Sequence, residues 1–109
     1  MSNVSKETLF KARLTEEDVE IPGVGTVRIR ALSRAEVLAF RSRKVEDVAD
    51  MERALLSKGL VEPALTEDEV RQWQEASAAG ELEPVTRAIS RLSGMDETAA
   101  KEAVKRFRG

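Results

Sequence analysis

Carboxylates are the most numerous reactive groups in this sequence. It contains 20 acidic and 18 basic residues, but no cysteine and no histidine. Histidine-based acid–base catalysis, Ser-His-Asp triads and Cys-His pairs are therefore excluded, as are disulfides and the usual zinc sites. Because so many acidic residues lie on a short chain, any two of them could be proposed as a catalytic dyad. A pair of carboxylates in this sequence is therefore no evidence for a glycosidase site.

Two acidic runs, TEEDVE at residues 15–20 and TEDEV at residues 66–70, could be imagined as cation sites. Neither has the ligand spacing of an EF-hand loop or its central glycine. The flank of an exposed strand and the first turn of a helix explain them better, since acidic side chains stabilise the positive end of a helix. The sequence therefore predicts no catalytic residue, no metal ligand and no cofactor, and the protein is not expected to be an enzyme.

Two other segments could bind phosphates. GVG at residues 23–25 lacks the third glycine, the following helix and the lysine of a nucleotide-binding loop, so a hairpin turn is predicted there. In KEAVKRFRG, residues 101–109, basic side chains could contact nucleic acid and Phe107 could stack on a base. Favourable charge at a helix C-terminus, with Phe107 in the core, explains this segment more simply. Neither a small-molecule substrate nor a nucleic acid is predicted as a partner.

Five large apolar residues are the candidate partner-binding residues: Leu55, Leu56, Leu60, Val61 and Trp73. One helix face is not expected to bury Leu55 and Leu56 equally well. Tryptophan is enriched among interface hot spots, so Trp73 could be a binding anchor, although core packing explains it more simply. Core packing is the alternative for all five, and the members that stay partly exposed are expected to make the contact.

Length and composition predict a single domain over residues 1–109, with residues 1–4 frayed. Charged residues make up 35% of the chain, above the roughly 25% typical of globular proteins, yet the net charge is only -2. Mixed charge gives no general attraction to nucleic acid or to an anionic membrane. No signal-peptide pattern and no apolar run of the ~20 residues that span a bilayer are present, so a soluble cytoplasmic protein is expected.

Hydrophobic periodicity predicts an α+β fold that is predominantly helical. Apolar residues alternate with polar ones on both sides of the Pro-Gly-Val-Gly turn, which is the pattern of a half-buried β-hairpin at about residues 18–30. An isolated hairpin is only marginally stable. We therefore expect the N-terminal hairpin to pack on five or six helices.

Capping signals mark where two of these helices begin. Ser33 with Glu36, and Thr66 with Glu69, each form the Ser/Thr-x-x-Glu pattern of a capping box. Gly59 is placed to end the helical segment that follows the first box.

The remaining helices are predicted from length and spacing. Residues 34–58 contain no glycine or proline and could form one helix or two. The apolar stripe loses register at residues 42–45, which favours a break there. A short helix is predicted from Ser5 to about Leu14, and a last helix from Asp96.

The order of these segments resembles that of the tail assembly chaperones of long-tailed bacteriophages. The likeness covers about residues 6–108, and its most telling passages are GLVEPALTEDEV and GELEPVTRAISRLSGM. Both passages consist of packing and turn residues and carry no catalytic motif. The family has a small α-rich fold with a short β element near the N-terminus, as the periodicity independently predicts.

The resemblance implies a function in phage assembly. Such a protein binds the tape measure protein non-covalently, keeps it soluble and assists assembly of the tail tube, in the host cytoplasm and outside the mature virion. The major tail protein and further copies of the chain are additional candidate partners. Two other hypotheses are a structural head–tail or tail component, and a small helical nucleic-acid-binding protein that uses the basic C-terminal helix.

Overall fold

The described part of the chain forms a small α+β fold, with a three-stranded antiparallel sheet and five helices. The structure is a computed structural model that describes residues 3–44 and 47–95, of which roughly half are helical. Its elements, in chain order, are α1 (Lys6–Phe10), β1 (Glu16–Ile21), β2 (Gly25–Arg30), α2 (Arg34–Ser42), α3 (Val48–Gly59), β3 (Leu60–Glu62), α4 (Glu67–Ala76) and α5 (Glu83–Leu92). The helix predicted from Asp96 lies outside the described residues.

The first two strands form a hairpin that begins slightly earlier than predicted. They pair in antiparallel register, from Glu16 opposite Arg30 to Ile21 opposite Gly25. At the turn, Gly23 and Gly25 have φ angles of 78° and 146°, which glycine adopts without the steric cost that a side chain would add. The glycines thus serve the turn that the sequence predicted.

The third strand was not predicted. Leu60 and Glu62 of β3 pair with β2 opposite Ile29 and Arg28, with an irregularity in the register between them. The hairpin is therefore part of a larger sheet. Three residues are too few to show a period-two pattern, and the pairing partner lies more than 30 positions away in the sequence, so local periodicity gave no signal.

Both predicted capping boxes are confirmed. The Ser33 hydroxyl accepts from the Glu36 amide at 3.1 Å, and the Glu36 carboxylate accepts from the Ser33 amide at 2.9 Å. Thr66 and Glu69 repeat the arrangement at 3.1 and 2.9 Å. Each box satisfies amides that the first turn of a helix leaves unpaired.

The segment after Ser33 contains two helices rather than one. α2 ends at Ser42 and α3 begins at Val48, which confirms the alternative with a break. α1 is shorter than predicted, ending at Phe10 rather than near Leu14, and none of its residues is buried. A single exposed turn gains little from packing, and short helices are marginal without it.

The core lies between the sheet and the last three helices. α3 packs on both α4 and α5, while α5 covers β1 and β2. The fully buried side chains are Ile21, Ile29, Leu56, Val70, Val85 and Ile89. Among residues 3–44 and 47–95, no helix combines the length and apolar character that a membrane span requires.

Gly59 allows α3 and α5 to approach each other closely. A Cβ atom added to Gly59 would lie 2.5 Å from Cδ1 of Ile89. Real Cβ contacts are not that short, so the helix end meets Ile89 only because residue 59 has no side chain. Gly59 therefore has a packing role as well as its predicted place at the end of α3.

Candidate partner-binding groove

The structure divides the five predicted partner-binding residues between core and surface. Leu55, Leu56 and Leu60 are only 7%, 0% and 5% exposed and belong to the core, whereas Val61 and Trp73 are half-buried. α3 buries both neighbouring leucines, which one helix face was not expected to do equally well. Because α3 packs on two helices, burial extends over more than one of its faces.

Trp73 closes an edge of the core. Its ring packs against the buried cluster, and its indole N–H donates to the Glu81 carboxylate at 2.8 Å. This bond joins α4 to the residues just before α5. A half-buried tryptophan with a satisfied N–H is typical of a structural residue with one accessible edge. The partner-binding role of Trp73 and Val61 stays a prediction.

α2 is set apart from the other long helices. Extensive helix–helix contacts join α3 to α4 and α5, whereas α2 makes none of comparable extent within the described part of the chain. Val37 is its one fully buried residue there, and Phe40 packs partly against the core. A groove is left between α2 and α3.

This α2–α3 groove has a volume of about 300 Å³. Its floor is apolar and its rim is charged. The narrow side chains of Ala35 and Ala39 on α2, and of Ala54 on α3, leave space where larger residues would fill it. The lining residues are Leu32, Ala35, Glu36, Ala39, Phe40, Arg43, Ala54 and Lys58.

Polar contacts hold the N-terminal end of α2. Both terminal nitrogens of Arg30 donate to the Glu36 carboxylate, each at 2.7 Å. This bidentate hydrogen bond with Arg30 is the main reason that the pKa of Glu36 falls to about 2. The amide of Leu32 donates to the Ser93 hydroxyl at 2.8 Å, which links the start of α2 to the end of α5.

A second bidentate contact holds the C-terminal end. Arg43 donates to both carboxylate oxygens of Glu67 at 2.8 Å and to Asp50 at 2.9 Å. The hydrogen bond to Glu67 is the first cause of the raised pKa of Arg43, and the same bond lowers the pKa of Glu67. α2 is thus fastened at both ends, with an apolar opening between the two fastenings.

The rim of the groove presents positive charge. Its one lining carboxylate, Glu36, is already bound by Arg30 and by the Ser33 amide. Lys58 is exposed and forms no ion pair with any other residue of the described ranges. An occupant with an acidic side chain beside its apolar one would therefore match both the floor and the rim.

The chemistry of the groove suits a polypeptide better than a small molecule. Small-molecule sites usually direct several polar groups at the ligand, whereas here Glu36 and Arg43 are bound within the chain and Lys58 alone is left. In the described part of the chain, every buried side-chain nitrogen or oxygen has a hydrogen-bond partner, and no group of acidic residues could hold a metal ion. The apolar floor of the groove can therefore accept apolar side chains from a segment of another protein.

Sequence reasoning missed this groove. Its distinguishing feature is small residues, Ala35 and Ala39 one helical turn apart, facing Ala54 on the next helix. Alanine is common in helices because of its high helix propensity. Its spacing on α2 therefore did not indicate a groove, which becomes visible only when the two helices lie side by side. The other predicted binding segment, residues 101–109, lies outside the described residues.

Comparison with known proteins identified no relative. No protein-family model matches the chain, and no curated protein or solved structure matches it significantly.

Proposed function

We propose that this chain is a tail assembly chaperone of a long-tailed bacteriophage, which binds the tape measure protein non-covalently, keeps it soluble and assists assembly of the tail tube. The observation that carries the proposal is the apolar α2–α3 groove with its positively charged rim. The passages GLVEPALTEDEV and GELEPVTRAISRLSGM support it by resemblance. The protein acts in the host cytoplasm and is absent from the finished virion.

We also propose that residues 1–109 form a single domain in which the hairpin packs on five or six helices. The major tail protein and further copies of this chain are additional partners.

The groove is suited to transient holding of a client. Burial of apolar surface contributes about 25 cal/mol per Å² and is the main favourable term available here. An amphipathic helix that lays its apolar face into a groove is a common mode of peptide recognition. A groove of about 300 Å³ accepts few side chains, so each contact is weak and reversible. Several copies along one long client bind by avidity.

The high density of charge serves the same role. A chain with 35% charged residues and mixed sign stays soluble while it exposes an apolar groove. Positive charge on Lys58 favours client segments with an acidic residue beside the apolar anchor. Charge steers encounter and selects partners more than it adds affinity.

Co-expression with the tape measure protein of the same phage tests the proposal. The wild-type chain is expected to move that protein from the pellet to the supernatant and to co-purify with it. Ala39→Asp should abolish this rescue, because a charged group would stand on the apolar floor. Leu38→Asp is the matched control, since Leu38 is the preceding residue of the same helix, is exposed and does not line the groove.

Three outcomes would contradict the proposal. The first is a folded wild-type chain that neither co-purifies with the tape measure protein nor changes its solubility. The second is recovery of the chain from purified virions, which would favour a structural tail component. The third is strongly salt-dependent DNA binding that is lost when four basic residues are neutralised, which would favour a nucleic-acid-binding protein. Those residues are Lys101, Lys105, Arg106 and Arg108.

A further inference from the structure

The two outer strands of the sheet, β1 and β3, differ in how well they are protected against pairing with a further strand. β3 has three residues, is followed by Pro63 and pairs irregularly with β2. Short length, proline and irregular pairing all hinder the addition of a strand to a sheet. β1 has six residues, contains neither lysine nor proline, and pairs with β2 in unbroken register. β1 therefore lacks the protections that β3 has.

The backbone of β1 turns half of its polar groups away from the sheet. The amide of Ala31 donates to the Thr15 carbonyl at 2.8 Å, in register with the hairpin. Because hydrogen-bonded residues alternate along an antiparallel pair, Glu17 and Val19 bond to β2 in the same way. The residues between them direct their amides and carbonyls outward, where no other strand of the described ranges pairs with them. These outward-facing residues, the β1 edge, are Glu16, Asp18 and Glu20.

Two of the three acidic side chains on the β1 edge are held away from it. Glu16 and Asp18 both accept from Arg28 on β2, at 2.6 and 2.9 Å. Their carboxylates therefore lean over the sheet, toward the neighbouring strand. All three residues of the β1 edge are exposed, so their outward backbone groups are accessible to an added strand.

A strand added to the β1 edge would have two different faces, because successive side chains of a strand point to opposite sides of the sheet. On the side covered by α5, its side chains would lie beside Val19 and Ile21, which are half-buried and buried. Both belong to the apolar core or pack against it. On the opposite side, the added side chains would lie beside the acids of the β1 edge. The edge thus suits a strand in which apolar residues alternate with residues of a second kind.

Charge indicates that the second kind is basic. β1 contains four acidic residues and no basic residue. Arg28 and Arg91 bind three of these acids, while Glu20 forms no ion pair with any residue of the ranges 3–44 and 47–95. Four acids and two arginines leave two negative charges along the strand. Arg13, shortly before β1, donates to backbone carbonyls at the end of α1 and leaves this excess in place.

We propose that the β1 edge binds an extended segment of another protein in which lysine or arginine alternates with apolar residues. In this mode of recognition, backbone hydrogen bonds hold the added strand and its alternate side chains give specificity. A second copy of this chain fits less well, because pairing two β1 strands would bring acids beside acids, and like charges on neighbouring strands are destabilising. The inference does not depend on the proposed client, which binds in the α2–α3 groove.

Hydrogen exchange of backbone amides, measured by NMR on the full chain, tests where the added strand binds. The probe is a synthetic peptide as long as β1, with blocked ends, in which lysine and valine alternate. In the free chain, the amides of Glu17 and Val19 are expected to be protected, and those of Asp18 and Glu20 to exchange freely. Saturating peptide should slow exchange at Asp18 and Glu20 by at least about tenfold, because their amides gain hydrogen bonds. A peptide of alternating glutamate and valine is the control and should give no protection.

Substitutions in the protein test the same contact through the affinity for the lysine–valine peptide. Asp18→Pro removes an outward-facing amide and no bond to β2, a position where strands tolerate proline, and should weaken binding by about tenfold. Glu20→Lys reverses a charge on the β1 edge and should weaken it by about fivefold. Glu62→Lys makes the same change at an exposed position on β3 and is the matched control, with an expected change below about twofold.

Several results would overturn the proposal. One is a peptide that binds without protecting Asp18 and Glu20, and another is equal binding of the glutamate–valine peptide. Equal affinities of the Glu20→Lys and Glu62→Lys variants would also overturn it, whether or not Asp18→Pro folds. Protection of Asp18 and Glu20 in the free chain that is lost on dilution would assign the β1 edge to a second copy instead.

Discussion

α2 and α3 are neighbours in the sequence, yet the fold uses them in different ways. α3 packs on α4 and α5 and buries Leu55 and Leu56, although Val48 and Met51 near its start are exposed. α2 buries Val37 alone and is fastened at its ends by Arg30 with Glu36 and by Arg43 with Glu67. Both helices are amphipathic, so the difference arises from what surrounds them.

The comparison shows where apolar surface contributes to stability and where it is left for binding. On α3, removing apolar area from water supplies the main stabilising term of the fold. On α2, alanines stand along an opening that no other described side chain fills. Exposed ion pairs contribute little free energy, but two bidentate ones fix where a helix lies. α2 is therefore positioned by these ion pairs together with Val37 and Phe40, which leaves the side with Ala35 and Ala39 available.

Truncation of a leucine on each helix should show the largest contrast. Leu56→Ala is expected to lower the free energy of unfolding by about 2–5 kcal/mol, because it leaves a cavity in a fully buried site. Leu38→Ala on α2 should change it by less than about 0.5 kcal/mol, as surface substitutions usually do. Urea unfolding measures both. Similar losses for the two variants would show that α2 is as much a part of the core as α3.

A methyl group at the end of α3 should have the next largest effect. Gly59→Ala is expected to destabilise the protein by about 1–3 kcal/mol, because the added Cβ would collide with Ile89. Gly80→Ala is the control, since no atom lies within 4 Å of the position where its Cβ would be. An unchanged melting temperature for Gly59→Ala would mean that α3 and α5 are not as closely packed as described.

Loss of a helix cap should cost less. Ser33→Ala removes the hydroxyl that accepts from the Glu36 amide, with an expected loss of about 0.5–2 kcal/mol. Thr66→Ala makes the same change at the start of α4. Because α2 has little core packing, Ser33→Ala should open α2 locally more than Thr66→Ala opens α4. Hydrogen exchange of the backbone amides in the two helices measures this opening. An equal loss of exchange protection in the two variants would mean that α2 is held as firmly as α4.

Acid should produce the smallest effect, at the two fastenings of α2, because the pKa values of Glu36 and Glu67 are both lowered in the folded chain. The folded-state pKa of Glu36 is about 2, below its ordinary value of 4.5. Its stabilising contribution is therefore complete above pH 4.5 and is lost as the pH falls toward 2. Because water screens the pair, the loss is on the order of 1 kcal/mol or less. Glu36→Gln should differ from wild type above pH 4.5 and converge with it in acid, and a constant difference would contradict the assignment.

Local signals in the sequence were sufficient for the beginnings of α2 and α4 and for the ends of α2 and α3. The Ser33 and Thr66 capping boxes, the break after Ser42 and the helix end at Gly59 all depend on residues a few positions apart. Such short-range patterns determine backbone geometry directly.

Long-range features could not be predicted in this way. β3 is recognised only by its pairing with β2, and Arg43 reaches Glu67 across 24 positions of the sequence. The burial of Leu55 beside Leu56 depends on helices on two sides of α3. The α2–α3 groove is a space between helices, so it follows from their placement and from no single segment.

Site-specific photo-crosslinking tests most directly the central claim that the α2–α3 groove binds the client. A single cysteine introduced at Ala39 in this cysteine-free chain carries a benzophenone group, and Leu38→Cys carries the same group on the neighbouring residue outside the groove. Irradiation with the tape measure protein is expected to yield a covalent adduct from position 39 and little from position 38. An equal or greater yield from position 38 would contradict the claim.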